Sequence, residues 1–311
     1  MKKSQKLVGN IMLLIAALLW GTTFVAQSEG MDHMGPLTYQ ASRSVLGGAF
    51  LIPIILLMDL AKKKRGTYTP PSKATKKKTL TVGIICGVIL TVAALLQQYG
   101  IALGTTSDKA CFITALYIVL VPVFGLFFRK RVHPLVWCSV AVAVFGLYFL
   151  CIQGDFSVLP CDLVTLMCAV VFALHIITID NLAAPLDGVR ISCIQFFTSA
   201  LISGIAMFIF EEPSLSALFD GWISVAYAGI LSSGVAYTLQ ILGQQRTEPA
   251  VASILMSLES LFAVLGTIAF TALLGPPDLP TAREWIGCGL MFFAIMLTQL
   301  PDVLKKKQQK V

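Results

Sequence analysis

Long apolar stretches, separated by short polar connections, follow one another along nearly the whole chain. A helix that crosses a bilayer needs roughly 20 mainly apolar residues at a rise of about 1.5 Å per residue. Stretches of this length predict spans at 8–27, 36–58, 80–101, 109–128, 134–152, 161–179, 189–210, 221–242, 250–274 and 284–301. The pattern therefore predicts an all-α integral membrane protein with ten transmembrane helices.

The first stretch has a second interpretation. The basic segment MKKSQK and the apolar run LVGNIMLLIAALLW after it also fit a cleaved signal peptide. The run is longer than a usual signal-peptide core and has a counterpart later in the chain, which favours a span.

Composition agrees with a membrane protein. The 311 residues are 57% hydrophobic and 13% charged, and their mean hydropathy is +0.83. A soluble domain has about 25% charged residues, because polar groups must cover its surface.

The basic residues are distributed unevenly about these spans. If ten spans alternate in direction, 20 of the 23 Lys and Arg residues fall on one side, and Arg43, Lys109 and Arg283 are the exceptions. The positive-inside rule makes that side the cytoplasm. We therefore expect a multi-pass protein of the cell membrane with both termini cytoplasmic.

This topology also accounts for the net charge of +7. The lysines flank apolar spans and are not interleaved with aromatic residues on a soluble domain, so no nucleic-acid partner is expected. The basic loop 62–78 is also suited to contact anionic lipid headgroups.

Internal similarity divides the chain into two halves. At an offset of 152 residues Trp20 falls on Phe172 and Arg43 on Gln195, and at an offset of 138 the segment LVPVFG falls on LESLFA. These matches predict two five-helix repeats, 1–153 and 154–304, followed by a basic cytoplasmic tail, 305–311. A repeat with five spans enters the membrane from the opposite side the second time, so the repeats are inverted, an arrangement that suits alternating access.

Several segments also resemble a known family: WGTTFV, SRSVLGG, TSDKACFITALYIVLVPVFGLFF and ILMSLESLFAVLG. Over essentially the whole chain they are similar to the ten-helix EamA-type family of the drug/metabolite transporter superfamily. The resemblance implies a compact bundle with a central cavity, and export or sometimes uptake of small metabolites such as amino acids. Ser260 follows Glu259 where family members often have proline, so a weaker kink is expected there, whereas the fourth span keeps Pro122.

Glu259 is the only charged residue in the run VASILMSLESLFAVLGTIAF. It lies about ten residues into the ninth span, roughly 15 Å deep, so an ionised carboxylate must face the interior, be paired or be protonated. A substrate-amine or proton site is one interpretation, and a protonated link between helices is the other.

Arg43 lies about seven residues, near 10 Å, from the outer end of the second span. At this depth its side chain can reach the outer headgroups or cap carbonyl groups of a neighbouring helix. Alternatively, it contacts a substrate carboxylate. If Arg43 and Glu259 face one cavity, their opposite charges suit a zwitterion.

The remaining candidates for substrate binding are polar or aromatic residues within spans, and each also has a purely structural explanation. Aromatic residues pack or anchor at the interface, glutamines bond between helices, and a buried histidine is more often hydrogen-bonded than a proton relay. Ser233, with Ser232 and Gly234, interrupts the eighth span and favours either exposed backbone or close packing. The candidates are Trp20, Thr23, Gln98, Tyr117, His175, Gln195, Ser233 and Tyr237.

Motifs of enzymes are absent from the sequence. It contains no GxxxxGK[ST], HExxH or GxSxG, so we predict no enzyme activity, no catalytic residues, no metal and no cofactor. The eight cysteines form no CxxC pair, although Cys151 and Cys161 flank one outer hairpin and a disulfide between them is conceivable.

The sequence thus predicts a secondary transporter, an exporter of amino acids or related compounds, with a central midplane site between its halves. Its partners are a small-molecule substrate, the lipid bilayer and, if transport is coupled, protons. The driving force stays open between proton coupling, exchange and downhill flux. The oligomeric state stays open between a monomer and a homodimer. The rival interpretations are a membrane-embedded lipid-modifying enzyme and a receptor or assembly partner that does not transport.

Overall fold

The structure is a computed structural model that describes residues 3–127, 132–152, 159–263, 265 and 281–308. The long elements of these ranges are helices. They are α1 Lys3–His33, α2 Pro36–Lys64, α3 Lys73–Ala102, α4 Ser107–Ala115 with Tyr117–Phe127, α5 Pro134–Cys151, α6 Pro160–Leu182, α7 Gly188–Phe210, α8 Trp222–Gln244, α9 Pro249–Ala263 and α10 Ala282–Gln308. A short helix, Leu215–Asp220, precedes α8.

Eight of the described helices, α1 to α8, are long and apolar enough to cross a membrane. They correspond to the first eight predicted spans, and they make the protein a multi-pass, all-helical membrane protein. The ninth predicted span, 250–274, is described as the shorter apolar helix α9, and its remainder from 266 lies outside the described residues. The tenth lies within α10. The count of ten spans and the inverted repeat remain predictions.

Several charged or connecting segments used to predict the orientation lie outside the described residues. They are Lys2, the basic segment 129–131, the outer connection 153–158 and the end of the basic tail, 309–311. The structure leaves Cys151 and Cys161 as free thiols, so the disulfide considered from the sequence is not formed.

Proline and capping residues mark where helices begin. Pro36, Pro134, Pro160 and Pro249 occupy the first turn of α2, α5, α6 and α9, where a missing N–H leaves no helical hydrogen bond unmade. Asp187 begins α7 by accepting hydrogen bonds from two backbone N–H groups of its first turn. Local sequence therefore sets the starts of these helices.

Ionic contacts connect the helix ends on each side of the bundle. On one side, Arg190 at the start of α7 lies 2.6 Å from Asp59 near the end of α2. On the other side, Lys109 at the start of α4 lies 2.5 Å from Asp162 at the start of α6. Both contacts fit helices that alternate in direction.

Glycines allow the central helices to approach closely. A Cβ atom on Gly87 of α3 would lie 2.7 Å from the carbonyl oxygen of Gln195 in α7, and one on Gly83 would lie 2.6 Å from Ile194. Such distances leave no room for a side chain. α3 therefore packs closely against α7, and α2 also has an extensive contact with α7.

Candidate substrate site

A cavity of about 40 Å³ lies among α1, α2, α3, α4, α6, α8 and α9. It is lined by charged, amide and aromatic side chains together. Of the ten residues predicted to bind substrate, six line it: Trp20, Thr23, Arg43, Tyr117, Tyr237 and Glu259.

One face of α1 forms a wall of the cavity. Trp20, Thr23, Phe24 and Gln27 all line it. Their spacing of three, four and seven residues places them on the same side of a helix. The face is aromatic at Trp20 and Phe24 and polar at Thr23 and Gln27.

Gly21 holds this face close to α9. A Cβ atom on Gly21 would lie only 2.4 Å from the carbonyl oxygen of Glu259. Real Cβ atoms essentially never come so close, so glycine is required at this contact. The backbone around Glu259 therefore packs directly on α1.

Arg43 points into the protein and is only 5% exposed. Its Nε donates a hydrogen bond to Ser233 Oγ at 3.2 Å, and its Nη2 donates to Ser232 Oγ at 3.0 Å. The guanidinium carbon lies 5.9 Å from the centre of the Tyr39 ring. Arg43 therefore faces α8 and the cavity, not the outer headgroups.

A π-helical segment, Ala228–Ala236, brings the two serines to Arg43. Short π-helical insertions are rare and frequently occur at functional sites. Gly47 of α2 permits the close approach, because a Cβ atom there would lie 2.7 Å from the Cβ of Ser233. The interruption predicted in this span thus supplies hydroxyl partners for the guanidinium.

Glu259 is buried, at 5% exposure, and lines the cavity opposite a tyrosine. The Tyr117 hydroxyl donates a long hydrogen bond, 3.4 Å, to its Oε1. Each residue follows a break in its helix: Tyr117 comes after Leu116 in α4, and Glu259 comes after a turn at Ser257 and Leu258 in α9. Two interrupted helices therefore meet at the carboxylate.

Neither Arg43 nor Glu259 has an ionic partner within the described ranges. No carboxylate oxygen lies within 4.0 Å of the Arg43 guanidinium, and no Lys, Arg or His nitrogen lies within that distance of Glu259. Burial of an uncompensated charge is costly. The cavity therefore presents two groups that a ligand of opposite charge would stabilise.

Aromatic rings separate the cavity from a second polar pair. Tyr237 packs edge-on against Trp20, with ring centres 4.8 Å apart. On its other side lies His175, whose ring centre is 6.3 Å away. The His175 Nε2 contacts Gln195 Oε1 at 3.3 Å, and both residues are fully buried.

Four predicted residues do not line the cavity. His175 and Gln195 pair with each other behind Tyr237, and Ser233 lies beneath Arg43. Gln98 donates to the carbonyl oxygen of Gln27 at 3.4 Å. For Gln98, Ser233 and His175 the physical reason is rotational, because successive helical residues point about 100° apart and the neighbours Gln97, Ser232 and Ile176 face the cavity instead. Gln195 differs, because no residue of α7 lines the cavity.

Part of the lining is rich in amide side chains that lie outside the predicted set. Gln27, Gln97 and Thr114 line the cavity without having been predicted. Gln240 also lines it; its sequence context favours a bond between helices and leaves substrate contact as the alternative. One signal was available: Gln27 follows Trp20 by seven residues and therefore shares its face of α1.

The part of the chain that the structure describes contains no cluster of metal-binding side chains. No group of three or more His, Cys, Asp or Glu side chains there is arranged to hold a metal ion.

The family assignment follows from comparison with known sequences. The sequence model of the EamA-like transporter family matches residues 7–152 and again residues 159–300. The chain belongs to the EamA-like transporter family. This confirms the family resemblance and makes the protein a membrane transporter.

Similar proteins with curated sequences are also described as transporters. An "Uncharacterized transporter" of Archaeoglobus fulgidus is 24% identical over 95% of this chain and 87% of its own. The "Uncharacterized inner membrane transporter YedA" of Escherichia coli K12 is 23% identical over 92% of this chain and 89% of its own. The "Uncharacterized transporter YoaV" of Bacillus subtilis is 22% identical over 73% of this chain and 76% of its own.

The EamA-like chain also shares its fold with a solved structure, described as "Crystal structure of protein". The two superpose with a TM-score of 0.72, over 96% of this chain and 98% of that one, at 21% identity. This similarity concerns the arrangement of helices alone.

Proposed function

We propose that this protein is a secondary transporter that exports amino acids or closely related zwitterions by alternating access about the cavity. The observation that carries the proposal is the pair of buried, opposite charges, Arg43 and Glu259, on the lining of one cavity. Intramembrane charged residues usually mark substrate or ion pathways.

The chemistry of an α-amino acid matches these two groups. Its carboxylate accepts hydrogen bonds from the planar guanidinium of Arg43, whose Nε and Nη2 already bond to the serines of α8. Its ammonium group offers a positive charge to the Glu259 carboxylate. A bound zwitterion would therefore compensate both buried charges at once.

Alternating access is supported by where the lining originates. The first family match contributes α1, α2, α3 and α4, and the second contributes α6, α8 and α9. In transporters with inverted repeats, sites lie at the interface of the repeats and often involve discontinuous helices. The breaks before Tyr117 and Glu259 are of this kind.

The orientation in the membrane is part of the proposal. The lysine-rich connection 62–78 and Arg190 belong to the side that the positive-inside rule assigns to the cytoplasm. Both termini then lie in the cytoplasm, and the transporter is a multi-pass protein of the cell membrane.

Transport by purified protein in proteoliposomes tests the proposal. Uptake of a panel of labelled amino acids is measured with and without an imposed pH gradient, for wild type and Glu259→Gln. Glu248→Gln is the matched control, because Glu248 is exposed at the start of the same helix. We expect wild type and the control to transport at least one amino acid.

The behaviour of Glu259→Gln distinguishes two roles. Loss of binding places the carboxylate on the substrate ammonium, whereas loss of only the pH dependence makes it the coupling group for protons. Transport by Glu259→Gln that matches wild type under both conditions would contradict the proposed site. A wild-type protein that moves no amino acid would contradict the proposed substrate class.

A further inference from the structure

A second pocket, of about 540 Å³, lies apart from the substrate cavity and shares no lining residue with it. It is formed by the end of α2, the connection 65–72, the start of α3 and the start of α7 with the residues just before it. The proposed orientation assigns these helix ends to the cytoplasmic side. The pocket therefore lies where the helices leave the membrane, near the lipid headgroups.

The pocket contains positive charges that have no negative partner. Arg190 is already paired, since its Nη2 lies 2.6 Å from Asp59 and its Nη1 lies 2.5 Å from Asp187. Lys62 and Lys76 also line the pocket and are exposed. Neither of their ammonium groups has a carboxylate within 4.0 Å in the described part of the chain.

The contact between α2 and α7 sets the level of Lys62. Asp59 of α2 contacts Arg190 of α7, and the two helices run in opposite directions. Lys62 lies one helical turn beyond Asp59, and Asp187 lies one turn before Arg190. Lys62 is therefore at the level of Asp187, where α7 begins.

The contact between α3 and α7 places Lys76 at the same level. Gly83 packs against Ile194, and the next contact is four residues later in both helices, so these helices run in the same direction. Lys76 precedes Gly83 by seven residues, and Asp187 precedes Ile194 by seven. The two lysines therefore flank the start of α7, one on each side.

The surrounding segment is also basic. Residues 62–78 include eight Lys and Arg residues and no Asp or Glu, and all eight are exposed. A basic segment beside a transmembrane helix attracts anionic lipid headgroups. Hydroxyl groups that can donate to phosphate oxygens complete the polar lining. They belong to Thr67, Tyr68, Thr69 and Thr75.

An apolar surface continues from the pocket along α7. Ile194 lines the pocket. Phe197, Leu201 and Ile205 follow it at spacings of three and four residues, so they lie on the same side of the helix. All three are exposed, and a span of a membrane protein presents such a surface to acyl chains.

We propose that this pocket binds the headgroup of an anionic phospholipid whose acyl chains lie along the exposed apolar surface of α7. Lys62 and Lys76 flank the headgroup, and the hydroxyl groups donate hydrogen bonds to its phosphate. The inference concerns a site other than the substrate cavity. It depends on the proposed orientation only in placing the lipid in the cytoplasmic leaflet.

Lipid binding by the purified protein in detergent tests the proposal. Native mass spectrometry measures the Kd of dioleoyl-phosphatidylglycerol and of dioleoyl-phosphatidylcholine, which has the same acyl chains and a zwitterionic headgroup. We expect the anionic lipid to bind at least about tenfold more tightly, because the choline group brings a positive charge to a positive site. Equal affinity for the two lipids would overturn the proposal.

Two double variants separate a built pocket from a diffuse basic surface. Lys62→Gln with Lys76→Gln removes the unpaired charges of the lining, so the affinity for phosphatidylglycerol should fall at least about tenfold. Lys64→Gln with Lys77→Gln is the matched control, because it removes the same charge from the same exposed segment at residues that do not line the pocket. It should lower the affinity less than about threefold. Equal losses in the two double variants would refute the pocket.

A soluble headgroup distinguishes a lipid from a free phosphate ester. Glycerol 3-phosphate offers the phosphate and hydroxyl groups without acyl chains, so we expect it to bind at least about tenfold more weakly than phosphatidylglycerol. Equally tight binding would assign the pocket to a soluble phosphate ester and overturn the lipid as occupant. None of these measurements depends on transport, so the proposed amino-acid exporter is tested separately.

Discussion

Arg43 and Gln195 occupy matching positions in the two halves of the chain, yet they have different environments. Both are buried in the second helix of a half, at the offset of 152 residues. Arg43 lines the cavity and bonds to two serines of α8, whereas Gln195 contacts His175 outside the lining. The two matching positions therefore differ in the chemistry that they bring to the site.

Other matched positions show where the halves agree. Trp20 and Phe172 match at the same offset, and both line the cavity as aromatic walls. At the offset of 138, by contrast, Glu259 matches Val121, a fully buried residue of the apolar core. Aromatic walls thus come from both halves, while each charge comes from one half only. Such an asymmetric site suits the proposed zwitterionic substrate, which has two different ends.

The substitution with the largest expected effect removes this asymmetry. Arg43→Gln gives α2 the side chain that α7 has at the matching position. We expect amino-acid transport to fall at least about 100-fold, because loss of one partner from a buried charge pair costs about 2–5 kcal/mol. Transport by Arg43→Lys, which keeps the charge without the planar fork, should fall less. Transport by Arg43→Gln within threefold of wild type would show that the charge does not serve the substrate.

A second comparison uses Gly47, which lies one turn from Arg43 in α2, and Gly87, which packs against Gln195. Gly47→Ala and Gly87→Ala should each lower the free energy of unfolding by about 1–3 kcal/mol, because their Cβ atoms would overlap α8 and α7. Only Gly47→Ala should also raise the KM, because its methyl group displaces Ser233. Thermal unfolding in detergent and transport kinetics measure the two effects.

Gly204→Ala in α7 is the control for both glycine variants, because no atom lies within 4 Å of a Cβ built there. It should leave the KM unchanged and should not lower the free energy of unfolding, because alanine is favoured over glycine inside a helix where its methyl group meets no neighbour. A KM that rises equally in Gly47→Ala and Gly87→Ala would contradict this prediction, because the surroundings of Arg43 and of Gln195 would then affect substrate binding equally.

A smaller effect is expected when the serines that position Arg43 are removed. The double variant Ser232→Ala and Ser233→Ala should raise the KM by about tenfold, because the guanidinium loses two hydrogen-bond acceptors. Ser199→Ala is the control. The Ser199 hydroxyl accepts a hydrogen bond from Gln40 at 3.1 Å, and Ser199 does not line the cavity. An unchanged KM in the double variant would mean that the cavity holds Arg43 without the serines.

The smallest effect is expected at His175, the partner of Gln195 in the second half of the chain. His175→Gln should change transport by less than about threefold and leave its pH profile in place, because His175 lies behind Tyr237 and does not line the cavity. A pH profile displaced in this variant alone would assign His175 a role in proton transfer.

The helices of the bundle were predictable because hydrophobic length is a local property. The predicted span 189–210 is found as Gly188–Phe210, and 161–179 as Pro160–Leu182. α1 extends from Lys3 to His33, beyond the predicted 8–27, because a helix continues past its apolar part until a breaking residue or cap ends it. Polar residues within these apolar runs could be recognised as candidates for substrate binding, because their position inside a span is also a local property of the sequence.

Sequence by itself determined the class of protein, since apolar runs of bilayer length and the motifs of the EamA-like family are both readable without coordinates. It also placed Arg43 and Glu259 within spans. Only the tertiary structure decided that these two line one cavity, that Gln97 faces it in place of Gln98, and that His175 and Gln195 do not. The physical reason is that the rotation of each helix depends on close packing at residues such as Gly21, Gly47 and Gly87, which involves helices distant in the chain.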